Sequence, residues 1–269
     1  MYKLFFIGTG KMATAIASGV VKSKLLGASQ IGGYDVNEAA AAMFSGATGC
    51  DVSSGKKFPD AMEKSEAVFI AVKPQVIEDA LRPYCHLLKD KLVISIVAGV
   101  SLEKLKDLTG ASRIIRVMPN TPAMVGAGMA AYSAAPEATE QDIEFTGKLF
   151  SAVGMSLQLP ENYLDAVTAV SGSGPAYVFE FIQAMADGGV AEGLPRDVAL
   201  KLAAQTVLGA AVMVLKTGAH PQQLKDNVTS PAGTTSRALE LMAERGFAGI
   251  VMQSVRAAAA RSRELGGKK

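Results

Sequence analysis

Leu4-Phe5-Phe6-Ile7-Gly8-Thr9-Gly10-Lys11-Met12-Ala13 is the stretch whose reading decides the fold. Tyr2 to Ile7 reads as a buried strand. A helix-period run extends from Ala13 to Leu26. Between them stands G-x-G-x-x-A, in the strand-before, helix-after setting that the motif requires. Gly8 allows the tight turn, Gly10 lets the backbone approach a pyrophosphate, and Ala13 lets helix and strand pack closely. Free N–H groups at the helix start suit the negative charge of a dinucleotide. Gly8, Thr9, Gly10, Lys11 and Met12 are therefore candidate cofactor contacts.

Working outward, a second strand over about Gln30 to Tyr34 ends at Asp35. An acid roughly 20 residues past the glycines usually takes the ribose hydroxyls. Asp35 would favour NAD(H), because a carboxylate repels a 2′-phosphate. Ala67 to Val72 is a continuous apolar run, as in a parallel strand covered on both faces. It ends in Lys73-Pro74, at the carboxyl edge where ligands bind. A helix is expected over 75–88, a strand over 92–97, a helix near 102–108 and a strand over 112–117. Met118-Pro119-Asn120-Thr121-Pro122 is then a rigid loop at the same edge. Segments 127–132 and 155–159 complete the sheet, with a helix over about 137–151 between them.

After Pro160 nothing reads as a strand. The expected fold class is α/β: a Rossmann-type, mostly parallel sheet with helices on both faces over 1–159, then an all-helical substrate-binding and dimerisation domain over 160–269. The helical part carries Ala, Val, Leu and Met on more than one face, which predicts a subunit interface. Its most apolar run, Leu202 to Leu215, reads as shorter than the ~20 residues of a membrane span.

Bulk properties exclude several classes. Of 269 residues, 49% are apolar and 19% charged, which argues for a large core and against disorder. The net charge of +2 includes no basic run apart from the Lys268-Lys269 tail, so nucleic acid is not an expected partner. The apolar start is too short for a signal peptide. Cys50 and Cys85 have no metal or redox spacing, so no metal is expected and a reducing cytoplasm fits.

A nicotinamide domain followed by a helical domain implies hydride transfer between them. The two histidines are poor bases for alcohol oxidation: His86 falls in the middle of an expected helix and His220 precedes Pro221. Lysine is absent from Ser171 through Asp187. A C=N substrate fits this inventory, since it accepts hydride without a strong base. Near the far end, Asn227-Val228-Thr229-Ser230-Pro231-Ala232-Gly233-Thr234-Thr235-Ser236 reads as a hydroxyl-rich turn on a helix starting at about Thr234. It is either a well-capped helix start or a carboxylate seat.

These motifs together resemble pyrroline-5-carboxylate reductase along essentially the whole chain. The matching residues are Gly8-x-Gly10-x-Met12-Ala13, Ala71-Val72-Lys73-Pro74, Arg116 to Pro122, Ser171-Gly172-Ser173-Gly174-Pro175-Ala176-Tyr177, and Val228 to Thr235, the family's signature. The resemblance implies NAD(P)H-dependent reduction of 1-pyrroline-5-carboxylate to L-proline, the last step of proline biosynthesis. It places the substrate on Val228, Ser230, Gly233 and Thr234, and puts the Thr235 hydroxyl, the implied catalytic group, against the ring nitrogen. It assigns Ala71, Val72, Lys73, Pro74 and Asn120 to the cofactor. It also implies a homodimer through the helical domains, with both subunits in each site, and in some members a ring of dimers. Two residues depart from the pattern. Ala232 stands where the family usually has glycine, and Asp35 opposes the family's preference for NADP(H), leaving NAD(H) open. The alternatives are a related β-hydroxyacid dehydrogenase or imine reductase, or a dinucleotide-binding regulatory protein without turnover.

Overall fold

The computed structural model describes residues 2–55 and 60–267; Met1, residues 56–59 and the Lys268-Lys269 tail lie outside them. The chain forms two compact units, Met1–Ser173 with Ala258–Lys269, and Gly174–Ala257. The expected boundary at 159/160 thus falls inside the first unit. The reason is a set of long-range bonds: Arg116 donates to Glu161 Oε1 at 2.8 Å, Leu102 N donates to the same oxygen at 2.8 Å, and Ser262 Oγ donates to Asp165 Oδ1 at 2.8 Å. Such bonds hold residues 161–165 and the end of the chain to the sheet unit.

The first unit is built on strands β1 (Leu4–Ile7), β2 (Ile31–Asp35), β3 (Asp51–Ser54), β4 (Ala67–Ile70), β5 (Leu92–Ser95), β6 (Ile114–Met118), β7 (Gly128–Ala134) and β8 (Gly154–Gln158). They form one sheet in the order β3-β2-β1-β4-β5-β6-β7-β8. Every pairing is parallel except β6 with β7. Helices α1 (Lys11–Lys22), α2 (Glu38–Thr48), α3 (Ile77–Leu81), α4 (Leu102–Thr109), α5 (Glu140–Ser151) and α6 (Leu164–Val167) belong to the same unit. β1, β4 and β5 are buried along their whole length. Two apolar clusters pack on the sheet. Phe6, Phe44, Phe69 and Phe150 anchor one; Phe5, Ile70, Leu81 and Leu105 belong to the other. Burial on both sides is why these strands read as unbroken apolar runs.

One local expectation is corrected, and one strand was not foreseen. The helix over 75–88 is broken: Pro74–Val76 and Arg82–Leu87 are 3-10 turns around the short α3. Pro83 lacks an N–H and clashes with the preceding turn, so an α-helix cannot run through it. Strand β3 is an edge strand, Asp51-Val52-Ser53-Ser54, with Val52 alone apolar and so without the continuous apolar signal of β1, β4 and β5.

The second unit contains α7 (Gly174–Ala191), α8 (Arg196–Thr217), α9 (Pro221–Asn227), α10 (Thr234–Glu244) and most of α11 (Phe247–Leu265). Among the described residues no strand follows β8. The buried apolar cluster here is small, Ala186, Ala199 and Ala203. Leu202, Leu208, Met213 and Leu215 stand exposed on α8, Leu215 at 68%. The expectation that the apolar run is too short to span a membrane is also corrected. Helix α8 has 22 residues, and an 18-residue window within it has a mean hydropathy of 1.9, long and apolar enough by those measures, with 11% of that window buried.

Candidate functional site

The strand order reverses between β1 and β4, where open α/β sheets bind ligands at their carboxyl ends. The Gly-rich turn lies here. Gly8 takes φ +88°, a left-handed conformation that side chains resist. A Cβ on it would stand 2.7 Å from the Ala71 carbonyl oxygen and 3.1 Å from Val72 Cγ1. Ala71 N in turn donates to Ile7 O at 2.8 Å, and Gly8 N donates to Tyr34 O at 2.9 Å. The structure thus sets the Gly8-Thr9 turn against Ala71 and Val72. Lys73 and Pro74 follow at the same edge, Lys73 exposed, where they open the Pro74–Val76 turn.

Gly10 is the N-cap of α1 and supplies no side-chain cap. A Cβ at Gly10 would meet nothing within 4 Å. The start of α1, with exposed Lys11 and half-buried Met12 behind Gly10, therefore leaves room for a large anion against backbone N–H donors. This arrangement fits a dinucleotide pyrophosphate. Helices α2, α4 and α5 differ, closing with their own Asn37, Ser101 and Thr139 side chains.

Asp35 ends β2 beside this turn. Its Oδ2 accepts from Thr9 N at 2.7 Å and from Thr9 Oγ1 at 3.3 Å, and its Oδ1 accepts from Asn37 N at 2.9 Å. Asn120 lies just past β6 and is equally occupied. Its Nδ2 donates to Ser171 O at 3.1 Å and to Ser171 Oγ at 3.3 Å, while its Oδ1 accepts from Met129 N at 2.8 Å. Ser171 belongs to a π-helical turn, Thr168–Gly172, a geometry often found at functional sites. Ser171 is not among the expected site residues. The Ser-Gly-Ser-Gly-Pro run was its visible signal, but its bond to Asn120, 51 residues away, was not.

The second unit carries the hydroxyl-rich turn. Helix α10 begins at Thr234 with Gly233 as N-cap and no side-chain cap, like α1 with Gly10. Gly233 N donates to Ser230 O at 3.1 Å, closing a β-turn through Pro231 and Ala232. Ala232 takes φ +56°. That is the left-handed value a type II turn needs at its third position, where glycine is preferred. Thr229 Oγ1 donates back to Lys225 O at 2.7 Å, and Ser236 Oγ donates to Gly233 O at 2.8 Å. The backbone N–H groups of Thr234, Thr235 and Ser236 have no partner among the described residues. Thr234 and Ser230 are exposed, Thr235 and Gly233 half-buried, and Val228 exposed. Three unpaired N–H groups at the positive end of a helix dipole, ringed by hydroxyls, can hold a carboxylate. Neither His86 nor His220 belongs to the Gly-rich turn or to the turn before α10, His220 serving as the cap of α9. Among the described residues no cluster of three or more His, Cys, Asp or Glu is placed to hold a metal.

The sheet unit with its Gly-rich turn defines a dinucleotide-binding oxidoreductase architecture, followed by a helical unit. Residues 3–99 match the family model described as NADP oxidoreductase, coenzyme F420-dependent, and residues 161–265 match the one for pyrroline-5-carboxylate reductase dimerisation. The chain is 48% identical over 266 residues to a pyrroline-5-carboxylate reductase of Glycine max and 47% over 265 residues to one of Pisum sativum. Each alignment covers 98% of this chain and 96% of the relative. The crystal structure of Plasmodium falciparum pyrroline carboxylate reductase with NADP bound is similar at a TM-score of 0.88 and 32% identity, covering 98% of both chains. The chain belongs to the pyrroline-5-carboxylate reductase family.

Proposed function

We infer that this chain reduces the C=N bond of 1-pyrroline-5-carboxylate to give L-proline, using NADP(H), with NAD(H) as a second cofactor. The observation that carries this reading is the turn before α10. It offers unpaired N–H donors and hydroxyls to a carboxylate, and no lysine or histidine stands in it to serve as a base. Bound NAD(P)H supplies the hydride to the electrophilic ring carbon. Ser230, Gly233 and Thr234 orient the substrate through its carboxylate, each charge-assisted bond contributing about 1.5–3 kcal/mol before the cost of association. The Thr235 hydroxyl orients the ring nitrogen. It is too weak an acid to be a free proton source, so water delivers the proton.

The same reading makes the protein a homodimer. Helix α8 leaves Leu202, Leu208 and Leu215 exposed, and a second copy would cover them rather than lipid. Lys201, Gln205 and Thr206 interrupt its apolar surface, which suits a protein partner better than a bilayer. The free thiols of Cys50 and Cys85 support a reducing cytoplasm as the compartment.

The test is direct. Purified protein given 1-pyrroline-5-carboxylate should consume NADPH or NADH, followed by loss of the reduced-nicotinamide absorbance. No turnover with either cofactor, together with turnover of an open-chain hydroxy- or ketoacid, would overturn the reading.

A further inference from the structure

An acid at the end of the second strand ordinarily takes the ribose hydroxyls and selects against a 2′-phosphate. The surroundings of Asp35 point elsewhere. Both of its oxygens are engaged by the chain itself: Oδ2 by the N–H and hydroxyl of Thr9, Oδ1 by the N–H of Asn37. Thr9 is fully buried. Gly33 makes room for it, since a Cβ at position 33 would stand 3.1 Å from Thr9 Cγ2. On the other side, Ala71 leaves no space for a side chain at Gly8. The Gly-rich turn is thus gripped between the end of β4 and Asp35. Without the carboxylate, the buried Thr9 N–H would lose its acceptor, and an unsatisfied buried donor is costly. A carboxylate accepting from two backbone N–H groups also has much of its charge compensated, which weakens any repulsion of a nearby phosphate.

We propose that Asp35 is a positioning residue that holds the Gly-rich turn through Thr9, and that it sets affinity for NADPH and NADH alike instead of choosing between them. The proposal rests on NAD(P)H being the cofactor. Asn at position 35 keeps an oxygen acceptor for the Thr9 N–H but has no charge; Ala removes both.

The experiment measures kcat and KM with each cofactor, and cofactor Kd by quenching or enhancement of reduced-nicotinamide fluorescence, for wild type, Asp35→Ala and Asp35→Asn. In Asp35→Ala, KM and Kd should rise for both cofactors by about tenfold, with kcat changed less, the size expected for losing one charge-assisted bond that holds the turn. Asp35→Asn should recover most of that affinity, and in both variants the NADPH-to-NADH ratio of kcat/KM should stay near the wild-type value. A shift of that ratio towards NADPH by about tenfold in either variant would overturn the proposal in favour of ribose selection. Unchanged cofactor affinity in Asp35→Ala would overturn it as well. If Asp35→Ala does not fold, the ratio in Asp35→Asn decides alone. Wild-type protein that binds neither cofactor would defeat the cofactor reading itself, a result distinct from any of these.

Discussion

The hydroxyl oxygen of Ser230 lies 2.3 Å from where a Cβ on Gly233 would stand. Position 233 is glycine for that reason and not for its dihedral angles, which are ordinary extended values. In Gly233→Ala the methyl group displaces the Ser230 hydroxyl, whose single rotatable bond lets it swing away. Fold stability should change by less than about 1 kcal/mol, while KM for pyrroline-5-carboxylate rises about tenfold. Steady-state kinetics beside thermal unfolding check the split. An unchanged KM would remove the Ser230 hydroxyl from the carboxylate seat.

Ala232, inside the same turn, holds φ +56° against the preference of its side chain. Left-handed backbone costs a non-glycine residue about 1–2 kcal/mol, partly offset by the greater freedom of glycine in the unfolded chain. Ala232→Gly should therefore stabilise the protein by about 0.5–1 kcal/mol in urea titrations. A loss of stability would show that the methyl makes contacts that outweigh its strain.

Thr235 stands at the second position of α10, one residue past the seat. Thr235→Ala should lower kcat about 10- to 100-fold with a smaller effect on KM, the range for losing one assisting polar group. Thr235→Ser keeps the hydroxyl and should recover most of the rate. Equal kcat in wild type and the alanine variant would take Thr235 out of the mechanism.

Asp142 joins β6 to α5. It accepts from Arg113 Nε at 2.8 Å and from the Thr139 N–H at 2.9 Å, and pairs with the second Arg113 nitrogen. Burial pushes its carboxyl up, but the bonds from Arg113 and Thr139 outweigh this and hold it below the usual carboxylate range. A depressed folded-state pKa adds stability above the unfolded value, which is lost as pH falls through the folded one. Unfolding midpoints should thus drop as the pH goes below about 4. Asp142→Asn should cost about 1–2 kcal/mol at pH 7, less than a fully buried pair because Arg113 is partly exposed, and should flatten that acid limb.

Leu208 on α8 is 56% exposed in the single chain. A charge there would be harmless on a free surface and disruptive under a partner subunit. On the proposed homodimer, Leu208→Glu should shift sedimentation from dimer towards monomer. A wild-type sedimentation profile for the variant would place the interface elsewhere.

Much of this was written in the residues themselves. Gly8, Gly10 and Ala13 announced a strand, a turn and a helix, because only small residues satisfy that local backbone. Unbroken apolar runs at 67–72 and 92–97 announced covered parallel strands. The start of α10 at Thr234 followed from Pro231 and Gly233, whose effects on the backbone are local. Pro83 also acts locally, so the break of the 75–88 segment was present in the residues, although the helix expected there ran through it. The edge strand β3 was not legible, because its pairing with β2 comes from position and not from side-chain preference.

What tertiary structure alone decided are relations between residues far apart in the chain. The parallel register of β1 with β2 puts the Thr9 N–H on the carboxylate of Asp35. The packing of 168–172 gives Asn120 a partner in Ser171. Glu161 and Ser262 bind the sheet unit and carry the compact boundary past Pro160. Local sequence sets backbone preference over a few residues. Hydrogen-bond partners tens of residues apart depend on register and burial, and these exist only once the sheet has formed.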